Sequence, residues 1–395
     1  MTIVPLFLLT LGAINWGYAY PLVFLFVVLL RQRRLGRKVY FNFLYSPSFW
    51  LLLYAGMAYA LIGMRTVSSI YHHGVLPVVA FSIGWIIAEG SPDTRIRDGI
   101  LALVAGFGSY ATLNMLVNMG NSRYRLVDFW TGTYRAATGS GALNTMTISI
   151  VPYTIKYEKR GATKLLLFVL FLTTIRYMFM LGTRAQFAIL FLVVVLGSLQ
   201  LAYREQRFAG ILKCIGIMTA VGLVGLLLYR FNVLSVKDYI LSTNLAARYE
   251  QRASLESSDS FRVQSFWIGF RELFQYPLGG RAAQVYRHNM WLDVGRISGI
   301  IPFALLLLYS VKNFANVVAI WMSPKVLPSL RNLLMFLYIG AYANCFVEPI
   351  WEGALNFFLA LCVVDGMVSA MIRRLGNDPD SGKSFSNASN CYANL

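Results

Sequence analysis

Residues 164–202 read KLLLFVLFLTTIRYMFMLGTRAQFAILFLVVVLGSLQLA, and they decide the fold of this chain. Two apolar runs, 164–181 and 186–202, are separated by only four residues. A membrane-spanning helix needs roughly 20 apolar residues, with about 17 to 25 as the usual range. The stretch therefore predicts two spanning helices joined by a tight turn.

The whole chain has the composition of a polytopic membrane protein. Its 395 residues are 57% hydrophobic, with a mean hydropathy of +0.58, and only 13% are charged. Soluble domains carry about 25% charged residues. Lys and Arg exceed Asp and Glu by 18 charges, which in a membrane protein indicates loops held by anionic lipid in preference to nucleic-acid binding. The four cysteines have no paired spacing, so we expect neither a metal site nor a disulfide framework.

The apolar runs predict an all-α, polytopic integral membrane protein with 11 or 12 transmembrane helices and one large extracytoplasmic loop. The first stretch, 3–30, is either one long helix or a hairpin broken near residues 15–21, where Asn, Gly and Pro cluster. The other spans are expected at residues 49–64, 75–88, 99–119, 141–155, 164–181, 186–202, 211–229, 297–321, 332–347 and 353–371. The expected divisions are N-terminal transmembrane helices (1–229), the loop with an amphipathic helix (230–296), C-terminal transmembrane helices (297–372) and a disordered tail (373–395).

Two basic loops set the expected orientation. Residues 31–38 and 156–164 are rich in Lys and Arg, which favours the cytoplasm for both. Alternation then places the C-terminal tail inside as well. It places outside the segments 65–74, 120–140, 182–184, 230–296 and 348–352.

The outer segments hold many arginines but a single lysine, Lys237. Arginine presents a planar fork that binds phosphate through two parallel hydrogen bonds, whereas lysine acts as a point charge. The bias therefore indicates an anionic ligand. The alternative is that these arginines are solvated or pair with neighbouring acids.

Arg184 lies in the turn LGTRAQF between the two runs of the opening stretch. There it would stand at the outer mouth of a helical hairpin, next to helix-end amides that also attract anions. The alternative is an arginine that extends its charge to water from a helix end.

A second informative stretch, residues 259–302, reads DSFRVQSFWIGFRELFQYPLGGRAAQVYRHNMWLDVGRISGIIP. Residues 262–274 predict an amphipathic helix whose aromatic face either rests on the membrane or packs on the bundle. Pro277 and the following Gly-Gly pair end it. Arg262, in its first turn, is placed to bind a phosphate with the help of the helix dipole.

His288 is one of three histidines in the chain. An imidazole can take a proton from a sugar hydroxyl or assist a departing phosphate, so a catalytic role is one interpretation. The other is a structural histidine that caps the following helix together with Asn289. The spacing around His288 does not indicate a zinc site.

These elements together resemble the O-antigen ligase and polymerase family of bacterial cell envelopes. The similarity covers about residues 181–308 and rests on a short arginine turn, an arginine before an aromatic helix, a Pro-Leu-Gly-Gly turn, a His-Asn pair and a glycine in the next helix. In this chain they are Gly182-Thr183-Arg184, residues 262–274, Pro277-Leu278-Gly279-Gly280, His288-Asn289 and Gly299.

The resemblance implies an inverting glycosyltransferase of the bacterial cytoplasmic membrane, with its active site on the extracytoplasmic side and its C-terminus in the cytoplasm. The donor would be a polyprenyl-diphosphate-linked oligosaccharide, with no cofactor, metal or nucleic acid required and a chain-length regulator as a candidate partner. Arg184 and Arg262 would bind the diphosphate, and His288 would orient or deprotonate the acceptor hydroxyl. Further candidate contacts to the diphosphate or glycan are Arg281, Arg287, Asn289 and Arg271, and the carboxylates that could replace His288 as base are Asp259, Asp293, Glu348 and Glu352.

Three functions stay open at this point. In the ligase-type pattern the His-Asn pair is followed by a glycine and then by Gly, Thr or Tyr, but Pro302 stands at the last position here. This departure favours a polymerase of O-antigen, capsular or exopolysaccharide repeat units over a ligase to lipid A-core. A flippase of lipid-linked sugars is the alternative from another class, although few charged residues lie within the predicted spans.

Overall fold

The computed structural model describes residues 3–12, 41–64, 66–120, 126–134, 137–204, 229–246, 258–281 and 286–377, with positions 25, 28, 29, 223 and 227. Within these ranges the protein is helical, and β pairing is limited to one isolated bridge between Val127 and Tyr134. The helices are α1 (Ile3–Thr10), α2 (Pro47–Ala58), α3 (Val67–Ala88), α4 (Asp93–Val117), α5 (Ala137–Ser149), α6 (Val151–Lys156), α7 (Gly161–Leu181), α8 (Arg184–Arg204), α9 (Val236–Leu241), α10 (Ser258–Gln275), α11 (Met290–Ser298), α12 (Ile300–Met322), α13 (Pro328–Val347), α14 (Ile350–Gly353) and α15 (Leu355–Gly376).

Six of the described helices are long and apolar enough to cross a membrane: α3, α4, α7, α12, α13 and α15. Two shorter apolar helices cover Pro47–Gly63 and Arg184–Gln200. The all-α, multi-pass prediction is therefore confirmed. Most of the predicted spans 3–30 and 211–229, the basic loop 31–38 and the tail beyond residue 377 lie outside the described residues, so the total of 11 or 12 helices stays a prediction.

The central helix pair is α3 and α15, which approach closely at two glycines. A Cβ atom on Gly84 would clash with the carbonyl group of Val363, and one on Gly366 would clash with that of Phe81. Small residues at such crossings let two backbones touch, which is how apolar helices gain packing contacts where lipid removes the hydrophobic driving force between them. Both helices are buried over most of their length.

Three predicted boundaries are wrong. The predicted span 141–155 is two helices, α5 and α6, because the chain leaves helical geometry at Ile150, and α6 then begins at Val151 with Pro152 in its first turn. The predicted loop 65–74 is mostly helical, since α3 begins at Val67 with Thr66 as its cap and contains a π-helical stretch, Ile70–Val75. The predicted span 297–321 starts three residues too early, since α11 ends at Ser298 and the spanning helix α12 begins at Ile300 after a break at Gly299.

A network of ion pairs and hydrogen bonds ties several helices together at one end of the bundle. Arg160, which precedes α7, lies 3.0 Å from a carboxylate oxygen of Glu158 and 3.0 Å from one of Asp98 on α4. Asp93 at the start of α4 accepts a hydrogen bond from Arg374 at the end of α15 and another, of 2.8 Å, from the backbone N–H of Leu327 before α13. This end therefore combines the predicted loop 156–164 with the last turn of α15.

Candidate active site

The opposite end of the same helices holds the candidate site. There the α7–α8 turn, the segment between α10 and α11, and the turn between α13 and α15 meet. On α8, Gln200 bonds Asn332 near the start of α13, whereas Gln186 bonds Asn344 near its end. The two helices thus run antiparallel, and their opposite ends carry the ion-pair network and the candidate site.

His288 occupies a strained position at this end. Its backbone is left-handed, with a φ of 54°, a conformation that costs on the order of 1–3 kcal/mol for a residue with a side chain. The side chain is 25% exposed, and its Nδ1 atom lies 3.9 Å from Oε2 of Glu348, which is buried. This distance is too long for a hydrogen bond, so the observation is that an imidazole and a carboxylate lie side by side at this end of the bundle.

Asn289, not His288, caps the following helix. The Asn289 side chain accepts a hydrogen bond of 3.1 Å from the N–H of Leu292 and donates one of 3.2 Å to the carbonyl of Phe346. Asp293 completes the turn by accepting backbone N–H groups from Arg287 at 2.6 Å and Asn289 at 3.3 Å. The capping interpretation therefore holds for Asn289 and leaves the His288 imidazole free of that role.

Arg287 forms a salt bridge within the protein. Its Nη2 and Nε atoms donate to the two carboxylate oxygens of Glu272 on α10, at 2.8 and 3.1 Å, and both side chains are 12% exposed. This bidentate pair fixes α10 to the segment that carries His288. The guanidinium predicted to contact substrate is thus already engaged by a carboxylate.

The other arginines of this region are more open. Arg281 is exposed and its guanidinium lies 3.7 Å from the centroid of the Tyr276 ring, which is a cation–π arrangement. Arg271 is exposed on α10. Arg262 falls in the first turns of α10, as predicted, but its side chain lies outside the described part of the chain.

Arg184 begins α8 directly after Gly182, which ends α7 in a left-handed conformation, and Thr183. The Nη1 atom of Arg184 is buried and has no hydrogen-bond partner. A buried guanidinium nitrogen without an acceptor is costly, since the unmade bond to a charged group is worth more than a neutral one.

Buried polar side chains of three helices lie beside the turn that precedes Arg184. Helices α5, α8 and α13 pack against one another, and Gln186 of α8 donates to Asn344 of α13 at 3.4 Å. Asn344 in turn donates to the carbonyl of Ala142 in α5 at 3.2 Å. Hydrogen-bonding side-chain atoms that are buried without partners here belong to Ser140, Asn144, Thr145, Thr183 and Gln186.

Arg184 and His288 form no hydrogen bond or ion pair with each other. Both are linked to the end of helix α13. Asn344, which contacts the helix of Arg184, is one turn before Glu348, which faces His288. Glu348 is the extended residue directly after α13, and its N–H donates a hydrogen bond of 2.9 Å to the carbonyl of Asn344. The helix of Arg184 and the imidazole of His288 therefore both lie at the C-terminal end of α13.

A buried group of ionisable residues adjoins His288. Asp293 and Arg296 of α11 are buried, and Glu352 accepts a hydrogen bond of 3.1 Å from the hydroxyl of Tyr59. Burial, together with the negative charge of Asp293, raises the pKa of Glu352 to about 7, against the opposing influence of Tyr59 and Arg296. Burial likewise raises the pKa of Asp293, although backbone hydrogen bonds and Arg296 oppose the shift.

Three of the four carboxylates predicted as substitutes for His288 lie in this region, namely Asp293, Glu348 and Glu352, whereas the side chain of Asp259 lies outside the described part of the chain. The sequence did not identify Arg296 as the positive charge near Asp293 and Glu352. The only available signal was the spacing of Asp293 and Arg296, three residues apart on one helical face. Within the described ranges, no three His, Cys, Asp or Glu residues are arranged to hold a metal ion.

A cavity of about 290 Å³ opens beside His288. Its apolar walls come from α10 and the end of α13, and the ring of Phe266 lies 5.7 Å from that of Phe346. The lining includes Val263, Phe266, His288, Phe346 and Val347.

Fold and site together define a multi-pass helical membrane protein with a buried, charged polar site at one end of its bundle. No protein-family model matches the chain, and no curated protein matches it either. The family resemblance of residues 181–308 therefore stays a prediction.

Proposed function

We propose that this protein is an inverting membrane glycosyltransferase that uses an undecaprenyl-diphosphate-linked oligosaccharide as donor and polymerises repeat units of a surface polysaccharide. The observation that carries the proposal is the buried, unpartnered guanidinium nitrogen of Arg184 at the same end of α13 as the His288–Glu348 pair. Transfer from a diphosphate-linked donor requires a group that binds the diphosphate and a base, and Arg184 and His288 are the candidates for these two roles.

Arg184 would bind the diphosphate. It stands at the first position of α8, where free N–H groups and the positive end of the helix dipole favour a phosphate. Charge accumulates on the diphosphate as the glycosidic bond breaks, so a preorganised guanidinium stabilises the transition state more than the ground state. Arg262, at the start of α10, is the second candidate for this role.

His288 would act as general base. The acceptor hydroxyl gives its proton to the imidazole while its oxygen attacks the anomeric carbon and the bond to the diphosphate breaks. The new bond forms on the face opposite the leaving group, so the configuration inverts, and the electron pair leaves with the lipid diphosphate. Glu348, 3.9 Å away, would stabilise the imidazolium that results. Because a lipid diphosphate is a good leaving group, this scheme requires no metal.

The topology belongs to the same proposal. We place the candidate site on the extracytoplasmic side of a bacterial cytoplasmic membrane, with 11 or 12 spans, the segment 230–296 outside and the C-terminus in the cytoplasm. The separation of the two ends supports this orientation, because the basic loop 156–164 and the last turn of α15 share the end opposite the candidate site. A bilayer and, for polymer length, a regulator protein would be its partners.

A direct assay tests the function. Purified protein is incubated with lipid-linked repeat units, with and without a lipid A-core acceptor, and the products are separated by size. A ladder that forms without the core acceptor supports a polymerase. A product that appears only on the core acceptor identifies the ligase alternative, and unchanged donor in both reactions contradicts glycosyl transfer.

One observation favours a transporter as the second candidate. Asp365 lies buried in the middle of the span α15, where ionisable groups usually mark a substrate or proton path. However, its two carboxylate oxygens accept hydrogen bonds from the hydroxyls of Tyr309 and Tyr338, so the group is satisfied by protein donors. Movement of a fluorescent lipid-linked sugar across vesicles that depends on Asp365 would support the transporter over the transferase.

A further inference from the structure

Helix α10 carries an apolar stripe that the described part of the chain leaves uncovered. Val263, Trp267, Phe270 and Phe274 follow one another at intervals of four, three and four residues, the spacing of one helical face. Their exposed fractions are 61%, 57%, 41% and 63%. A contiguous apolar patch of this kind marks a binding surface for protein or lipid.

The opposite face of α10 makes the packing contacts. Ser265 and Leu273 are buried, and α10 packs against α11. A Cβ atom on Gly269 would lie 3.1 Å from the Arg287 side chain and 3.4 Å from that of Leu292, so the helix touches the His288 segment closely. The aromatic stripe is therefore not needed to hold α10 in place.

The stripe leads into the cavity beside His288. Val263 belongs to the stripe and also lines the cavity. Phe346, which forms the opposite wall, is 54% exposed and lies in the last turn of α13, a membrane-spanning helix. The stripe and the cavity together form a groove, which runs from the end of the spanning helix α13 to the imidazole of His288.

The side chains that line the cavity indicate which kind of ligand it can bind. Asn289 and Arg287 border the cavity, but their side chains are engaged by Leu292, Phe346 and Glu272. His288 is then the polar side chain left to bind a ligand, with apolar walls around it. A sugar would leave most of its hydroxyl groups without partners there, whereas an apolar chain attached to a polar head fits both the walls and the polar end.

We propose that the α10 stripe and this cavity bind the polyprenyl chain of the donor, with the isoprene units nearest the diphosphate lying between Phe266 and Phe346. The inference rests on the proposed function for the identity of the lipid. The diphosphate would extend from this cavity toward Arg184, and the glycan toward the polar side chains of α5, α8 and α13.

The test uses the full-length protein in nanodiscs and a photoreactive polyprenyl diphosphate that has a diazirine in its first isoprene unit and no sugar. We expect crosslinks to map to Val263, Phe266, Phe346 or Val347. Val263→Trp fills the mouth of the cavity and should lower labelling about tenfold, because one to two methylene groups of the lipid would no longer be buried there. Val311→Trp is the matched control, because Val311 is also an exposed valine, 59% exposed, on the spanning helix α12.

The outcomes separate this inference from the proposed function. Crosslinks elsewhere on an enzyme that still transfers glycan overturn the inference alone. Equal labelling of the groove by a diazirine phospholipid also overturns it by identifying a general lipid surface. Labelling of the groove without any glycan transfer supports the lipid site and contradicts the glycosyltransferase.

Discussion

The Nδ1 atom of His288 lies 3.9 Å from Oε2 of Glu348, although sixty residues of sequence separate the two. Glu348 follows the last turn of α13, and His288 precedes α11, so the pair joins two elements that meet at one end of the bundle. The left-handed backbone of His288 holds its ring toward this carboxylate and the cavity. Strain of this kind is a recurrent feature of functional positions.

This pair gives the first prediction. His288→Ala should lower the transfer rate by about 10² to 10⁴, the usual contribution of a general base, with normal protein abundance. Glu348→Gln should cause a smaller loss, because it removes the carboxylate beside the imidazole but leaves the base in place. The double variant should be no slower than His288→Ala, since both act through one ring. An unchanged rate in Glu348→Gln would reduce Glu348 to a structural role, and full activity of His288→Ala would show that His288 is not the base.

Arg184 provides the second prediction. Arg184→Lys should be nearly as damaging as Arg184→Ala, with a loss of about 10² to 10³ in rate, because lysine keeps the charge but loses the fork. Steady-state transfer with purified protein measures it. Arg160→Lys, at the opposite end of the bundle, serves as the control and should leave the rate nearly unchanged. Near-normal transfer by Arg184→Lys would mean that Arg184 acts only as a point charge.

The features that sequence predicts best here are those set by local pattern. The apolar runs predicted helices α7 and α8 to within three residues at each end, and the interval between them predicted the turn, although Arg184 itself is the first residue of α8. The aromatic spacing of residues 262–274 gave α10. Hydrophobic length and period determine such elements almost without reference to the rest of the chain.

The pairing of charges could not be predicted in the same way. Arg287 and Arg184 are both arginines among aromatic or small residues, but Glu272 neutralises Arg287, whereas Arg184 keeps a buried nitrogen without a partner. That difference depends on how α10 folds back on the segment before α11, which no local pattern encodes. The same holds for Glu352, whose environment is built by Tyr59, far away in sequence.

The Arg287–Glu272 bridge is the subject of the third prediction. Glu272→Gln should lower the thermal unfolding midpoint, because removing one member of a largely buried pair leaves an uncompensated charge, a loss of about 3–5 kcal/mol where burial is complete and less here. The exchanged pair Arg287→Glu with Glu272→Arg should recover part of it. Unfolding in detergent, followed by light scattering, gives the midpoints. Unchanged stability in Glu272→Gln would show that Arg287 is available to substrate after all.

Membrane orientation is the fourth prediction. Lys159 and Gly280 are both exposed and lie near opposite ends of the bundle. In intact cells, a membrane-impermeant thiol reagent should label Gly280→Cys and should label Lys159→Cys only after the cells are opened. Cys345 and Cys362 are buried and provide a low background among the described cysteines. The reverse labelling pattern would place the candidate site in the cytoplasm.

The fifth prediction concerns the pH dependence of stability. The pKa of Glu352, raised by burial and by the nearby Asp293, is about 7 in the folded protein and 4.5 in its ordinary state. The folded state then holds this proton more tightly than the unfolded state, so the stabilisation is complete below 4.5 and is lost as the pH rises through about 7. Glu352→Gln cannot ionise and should flatten this part of the curve, measured as unfolding midpoints between about pH 5 and about pH 8. Tyr59→Phe removes the hydrogen bond that lowers the pKa of Glu352 and should move the loss to higher pH. If Glu352→Gln keeps the slope of the natural protein, Asp293, whose pKa is also raised by burial, becomes the group that titrates.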